Sequence, residues 1–163
     1  MDYDLAPLVT REGYEHLRAE IARLCAARPE MIERLRDARD NGNLDDNPTL
    51  YEVLAEQAQL EQRIAHLRGQ LAAAKVVQPN GDGIAGIGNS VRLRDLATNE
   101  IVEYELVGGI EANVGDGRVS IAAPVGRAVL GAGAGEVVDV ATPRGNVRLE
   151  VLEVRAISAR KAA

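Results

Sequence analysis

Two long helical repeats of apolar residues, joined by one short polar turn, constrain this chain more than any other feature. The first repeat runs Tyr14, Leu17, Ile21, Leu24, Arg28, Met31, Leu35, Ala38 in steps of three and four. The second runs Leu50, Val53, Gln57, Leu60, Ile64, Leu67, Leu71 in the same steps. Steps of this kind mark the seam of a coiled coil. The stretch between them, Asp40-Asn41-Gly42-Asn43-Leu44-Asp45-Asp46-Asn47-Pro48, is too short for anything but a reversal, so the helices are expected to run antiparallel.

An antiparallel reversal fixes the pairing across the seam. Leu35 faces Val53, Met31 faces Gln57, Arg28 faces Leu60, Leu24 faces Ile64, Ile21 faces Leu67, and Leu17 faces Leu71. Each arm of about 28 residues gives a rod on the order of 40 Å long at about 1.5 Å per residue. Thr10 is placed to cap the first helix. Arg28-Pro29 predicts a kink, because proline removes a helical hydrogen bond and biases the residue before it away from helix. Arg28 and Gln57 are polar seam positions beside that proline, where the packing is expected to be looser. Gly42 suits a C-terminal cap, and Asn47-Pro48 suits an N-cap followed by a first-turn proline.

The pattern changes after Gln78-Pro79-Asn80-Gly81-Asp82-Gly83, which reads as a linker. Val91–Leu96, Ile101–Val107, Arg118–Ala122, Glu136–Val140 and Val147–Val154 read as strands, and Pro124–Leu130 as a short helix closed by Gly131. The expected fold is α+β. An antiparallel coiled-coil hairpin occupies residues 1–77, a linker 78–88, and a small antiparallel β-sheet domain with one short helix 89–163. The tail from Ser158 is short and basic and is expected to fray.

Composition removes several functions. The net charge of −6 argues against a general nucleic-acid binder or independent sequence-specific DNA binding. No apolar run suits a membrane span, and the start, Met1-Asp2-Tyr3-Asp4, is acidic where a signal peptide is basic. A cytoplasmic location is expected. Cys25 is the only cysteine, and the chain has four Tyr, no Phe and no Trp, which disfavours thiolate metal clusters and base-stacking platforms. His16 and His66 lie on different helices without a second ligand at metal spacing. Gly131-Ala132-Gly133-Ala134-Gly135 lacks the Lys-Ser/Thr of a phosphate loop and reads as a connecting turn.

The turn itself is the remaining candidate. Asp37, Asp40, Asp45 and Asp46 cluster there, with Glu33 one helical turn behind. Such carboxylates suit a hard cation already held by a partner; they do not alone make a Mg²⁺ cage. They equally suit a solvated turn that caps helices. Arg34, Arg36 and Arg39 lie close by, and as residues they read as a solvated face that balances Glu33, Asp37 and Asp40.

Val9-Thr10-Arg11-Glu12-Gly13, Arg28-Pro29-Glu30, Gly42-Asn43-Leu44-Asp45-Asp46-Asn47, Glu61-Gln62-Arg63-Ile64 and Pro124-Val125-Gly126-Arg127-Ala128-Val129-Leu130-Gly131 together resemble the bacterial transcription elongation factors GreA and GreB. The resemblance spans nearly the whole chain. It implies an FKBP-like C-terminal domain that docks at the rim of the RNA polymerase secondary channel, with Pro124, Arg127 and Leu130 at the docking surface. It also implies a coiled coil that enters the channel, where two tip acids help hold the polymerase's second Mg²⁺ and an attacking water near the backtracked RNA 3′ end, and a basic patch near the tip, here Arg34, Arg36 and Arg39, that meets RNA phosphates or the polymerase. Such a protein needs no cofactor of its own, apart from sharing that Mg²⁺, and acts on the polymerase rather than being an enzyme itself.

The tip departs from the family pattern. Asn43 stands where the first acid is expected, and Asp46 takes the second with a shorter side chain. Leu50 takes the place of a tip aromatic, with Tyr51 one position later. A neutral amide is a weaker metal ligand than a carboxylate and cannot act as a base. Two functions follow: a factor that occludes the channel and cleaves weakly or not at all, or a cleavage factor that uses Asp46 with Asp45 or Asn43 around the Mg²⁺. Prolyl isomerase activity needs an aromatic pocket, and the C-terminal half offers only Tyr104. A purely structural coiled-coil adaptor is the remaining alternative.

Overall fold

The computed structural model describes residues 7–41 and 47–157. Expectations for Met1–Asp4, for Gly42 as a helix cap and for the tail from Ser158 lie outside the described residues. The chain forms two compact units, one of Glu15–Ala73 and one of Met1–Tyr14 with Ala74–Ala163.

The first unit is built on three helices: α1 (Arg11–Ala26, whose first turn belongs to the second unit), α2 (Arg28–Asp40) and α3 (Pro48–Ala73). Every predicted seam residue is buried or half-buried, while most of their neighbours are exposed. Cross-helix pairs run in descending order, Arg28 to Glu61 and Arg34 to Glu56, as an antiparallel arrangement requires. The expected kink is a break at Ala27. Its N–H reaches only three residues back, to Leu24 at 3.2 Å, and Pro29 then sits in the first turn of α2, where a missing N–H is tolerated. A cavity of about 50 Å³ lined by Arg28, Met31, Gln57 and Leu60 marks the looser packing at the two polar seam positions. Arg28 spans it with two hydrogen bonds to the Glu61 carboxylate, at 2.7 and 2.6 Å.

The second unit contains a five-stranded sheet. Its strands are β3 (Asn89–Asp95), β4 (Ile101–Val107), β5 (Arg118–Ser120), β6 (Val137–Thr142) and β7 (Gly145–Ala156), in the order β5-β4-β3-β7-β6. Alternation along β3 sends Val91 and Leu93 inward to meet Leu106, Val140, Leu149 and Val151. The helix α4 (Pro124–Val129) closes this core with Val129, backed by Val125 and Ala128.

The antiparallel expectation fails at one edge, because β5 pairs parallel to β4 and the sheet is mixed. The physical reason lies in residues 108–117, where two single-turn 3₁₀ helices and Gly117, at φ 74°, carry the chain back beside the second half of β4, so that Arg118 lies opposite Glu105. A second departure is a short parallel pair, β1 (Leu8–Val9) with β2 (Lys75–Val76). The second long helix therefore ends at Ala73 rather than near Lys75. The segment expected as a linker, 78–88, runs along the sheet unit. Ala85 and Ile87 are buried, and Ala85 exchanges backbone hydrogen bonds with Gly131 and Ala132.

Candidate functional site: the hairpin tip

The tip is closed by Asn47. This residue is only 6% exposed, so both ends of its amide need partners. Its Oδ1 accepts from the N–H of Leu50 at 3.0 Å, the N-cap bond that the sequence predicts. Its Nδ2 donates across the hairpin to the carbonyl oxygen of Ala38 at 2.6 Å. Beneath it, Ala38, Leu50 and Val53 form a small core with Met31 and Leu35 packed against them. On the outgoing side, both the backbone N–H and the Nδ2 of Asn41 donate to the carbonyl of Asp37, at 3.1 and 2.9 Å.

Between these two asparagines lie residues 42–46. The tip candidates Asn43, Asp45 and Asp46 fall outside the described residues. Glu33, Asp37 and Asp40 are exposed on α2. Among the described residues, no group of three or more His, Cys, Asp or Glu is arranged to hold a metal, and His16 and His66 are exposed on separate helices.

The three arginines near the tip are not equivalent. Arg34 is tied to Glu56 at 2.6 Å, and this hydrogen bond holds its guanidinium more firmly protonated than usual. Arg36 and Arg39 are exposed and make no ion pair among the described residues. Leu50 and Tyr51 separate in the same way: Leu50 is buried in the tip core, whereas Tyr51 is 60% exposed.

On the second unit, Pro124 and Arg127 of α4 and Leu130, the residue that ends the helix, are exposed to solvent, while Val125, Ala128 and Val129 face the core. One buried group escaped the sequence. The Glu111 side chain, 3% exposed, accepts from the N–H of Thr10 at 2.8 Å, from the Thr10 hydroxyl, and from Arg118 at 3.4 Å. The predicted cap is present, since Thr10 Oγ1 accepts from Gly13 N–H at 3.0 Å, but the cap is itself held by an acid 101 residues away. No local motif announces such a contact.

Two family models divide the chain between them. The one for the N-terminal part of the transcription elongation factor matches residues 7–76, and the one for the GreA/GreB C-terminal part matches residues 79–156. This chain belongs to the GreA/GreB family of transcription elongation factors. The factor is 37% identical to transcription elongation factor GreA of Syntrophobacter fumaroxidans over 150 residues, 90% of this chain and 96% of the relative. It is 39% identical to GreA of Clostridioides difficile over 151 residues, 91% of this chain and 95% of the relative. Among solved structures, GreA factor homolog 1 of Thermus thermophilus is 29% identical, covering 91% of this chain and 97% of that one, with a TM-score of 0.41.

Proposed function

We propose that the factor binds bacterial RNA polymerase in the cytoplasm, with the α2–α3 hairpin in the secondary channel and the exposed face of α4 at the channel rim. Family membership supports the partner. The observation that carries the site is the tip closure. Asn47 ties the end of α2 to the start of α3, and we read residues 42–46, which link the two in the sequence and include Asn43, as the part that would meet the polymerase active centre.

At that end Asn43 offers a neutral amide where the family pattern calls for a carboxylate. Asp46, with Asp45, would add to the shell of a Mg²⁺ held by the polymerase, which activates water as a nucleophile. With one acid missing, this factor occludes the channel and leaves cleavage weak. The second reading, an active cleavage factor, is favoured by one feature, the extra carboxylate of Asp45. In either case the catalytic centre is the polymerase's own.

The test is RNA cleavage on stalled, backtracked polymerase. The unaltered factor should give little cleavage and slow nucleotide addition, and Asn43→Asp should raise cleavage by about tenfold or more, as expected when a charged metal ligand is restored. Full-rate cleavage by the unaltered factor, abolished by Asp46→Ala, would overturn the occluding reading. Failure to bind core polymerase would overturn both.

A further inference from the structure

Asparagine followed by glycine is chemically fragile, because glycine leaves the backbone free to bring its own nitrogen onto the asparagine side chain. The chain has two such pairs, Asn41-Gly42 and Asn80-Gly81, and Asp82-Gly83 is open to the same attack. The fold treats the three differently. Nδ2 of Asn41 donates to the carbonyl of Asp37 at 2.9 Å. Oδ1 of Asp82 accepts from the N–H of Ile84 at 3.2 Å. The Asn80 side chain has no hydrogen-bond partner among the described residues, and neither has the N–H of Gly81. Both residues are exposed, and nothing lies within 4 Å of where a Cβ on Gly81 would stand.

The backbone carbonyl of Asn80, by contrast, is in use. It accepts from Nδ2 of Asn89 at 2.9 Å, and Asn89 is fully buried at the start of β3. The other end of that amide, Oδ1, accepts from the N–H of Gly86 at 3.2 Å. Asn89 thus latches residues 80–86 to the sheet, and a buried amide of this kind needs both partners. A change in the chain at Asn80 acts on this latch directly.

We propose that Asn80-Gly81 is a site of spontaneous deamidation and isomerisation, with water as the co-reactant. The Gly81 nitrogen gives its proton to solvent base and attacks Asn80 Cγ. The N–Cγ bond forms and the Cγ–Nδ2 bond breaks. The departing nitrogen takes up a proton and leaves as ammonia, and a cyclic imide remains. Water then opens the ring at either carbonyl. Opening at Cγ leaves an aspartate. Opening at the backbone carbonyl leaves an isoaspartate, in which the chain runs through the side chain and is longer by a methylene. In that product the carbonyl that holds Asn89 becomes a free carboxylate, so a negative charge arrives at the buried amide. An isoaspartyl chain is the substrate class of enzymes that methylate such carboxylates. The site uses no residue of the tip or of α4.

The full chain is incubated at mildly alkaline pH, folded or in urea, and digested for peptide mass mapping. Methyl transfer from S-adenosylmethionine by an isoaspartyl methyltransferase counts the isoaspartate. In the folded chain, position 80 should convert about tenfold faster than position 41, the scale set by one intact hydrogen bond. Urea should leave the rate at Asn80 nearly unchanged and bring that at Asn41 up towards it. Gly81→Ala should slow conversion at Asn80 by about tenfold or more, because a Cβ hinders the attacking nitrogen and narrows the backbone's freedom. In ¹⁵N spectra of the aged protein, the side-chain amide of Asn89 and the N–H of Gly86 should shift, and in the Gly81→Ala protein aged alongside they should stay in place. The proposal is overturned if Asn80 stays intact in the folded chain, if Asn41 converts as fast before urea is added, or if urea steeply accelerates Asn80. Conversion that Gly81→Ala does not slow, or Asn89 and Gly86 signals that do not move on ageing, would overturn it as well.

Discussion

The side-chain amide of Asn47 donates to the backbone carbonyl of Ala38 at 2.6 Å, joining the start of α3 to the end of α2. The same amide caps α3 through Leu50, so one buried residue performs two jobs. Asn47→Ala removes a cap worth about 1 kcal/mol and leaves a buried acceptor short of its partner, for a combined loss of roughly 2–3 kcal/mol. Asn47→Asp separates the two, because it keeps the acceptor for Leu50 and loses the donor to Ala38. Chemical denaturation should rank the wild type above both variants. An Asn47→Asp protein as stable as the wild type would remove the cross-hairpin bond from the account.

A second prediction concerns acid. The hydrogen bonds from Arg28 hold the Glu61 carboxyl below its ordinary value near 4.5, against a smaller opposing effect of desolvation. The folded state then binds its proton later than the unfolded chain as pH falls. The pair's contribution is complete above about pH 4.5 and is lost as pH drops through the depressed value. Glu20, held low chiefly by its hydrogen bond with Arg23, adds in the same direction. Melting temperatures measured from pH 6 down to pH 3 should fall less steeply for Glu61→Gln than for the wild type. Parallel curves would show that the pair is too solvated to matter, as exposed pairs often are.

Three glycines should respond to alanine with different signs. A Cβ on Gly13 would overlap the Glu111 carboxylate, which cannot retreat without leaving Thr10. A Cβ on Gly126 would overlap the backbone of Ser120 and Ile121, which has less freedom to move. At Gly69, in α3, nothing lies within 4 Å. Gly126→Ala should therefore be the most damaging and Gly13→Ala should cost about 1–3 kcal/mol. Gly69→Ala should gain roughly 0.5–1 kcal/mol from helix propensity. Thermal melts of the three variants check the order, and a Gly13→Ala protein as stable as the wild type would sink the role given to Glu111.

How far the sequence foretold this molecule depended on the range of the interactions. The hairpin was legible because a seam repeats itself: Tyr14 through Ala38 and Leu50 through Leu71 each declare one face many times over. Proline and asparagine act within a turn of their own positions, so the break near Pro29 and the cap at Asn47 were readable too. The pairing of Leu8–Val9 with Lys75–Val76 was not, because two residues carry no periodicity. Nor was the parallel direction of β5, which is decided by the path of residues 108–117. At the candidate sites, the sequence could name Arg34, Arg36 and Arg39 but could not tell that Glu56 occupies the first of them. Glu111 and Arg118 gained their roles only when distant segments met.

The α4 surface supplies a last prediction, and its chemistry makes binding separable from folding. Pro124, Arg127 and Leu130 face solvent, while the contacts of α4 with the core pass through Val125, Ala128 and Val129. Changes on the outer face should leave the melting temperature in place, as surface substitutions generally do. If this face docks on polymerase, Arg127→Glu replaces an attractive charge with a repulsive one at an exposed rim. That should weaken binding by about tenfold at low salt, mainly through slower association, with the deficit shrinking as salt screens the charge. Leu130→Ala should instead weaken binding by an amount insensitive to salt, because the area lost from the contact is apolar. Binding curves for the two variants at low and high salt distinguish the mechanisms. Unchanged affinity for both would move the docking surface off α4 while leaving the hairpin's role at the tip to be judged by cleavage alone.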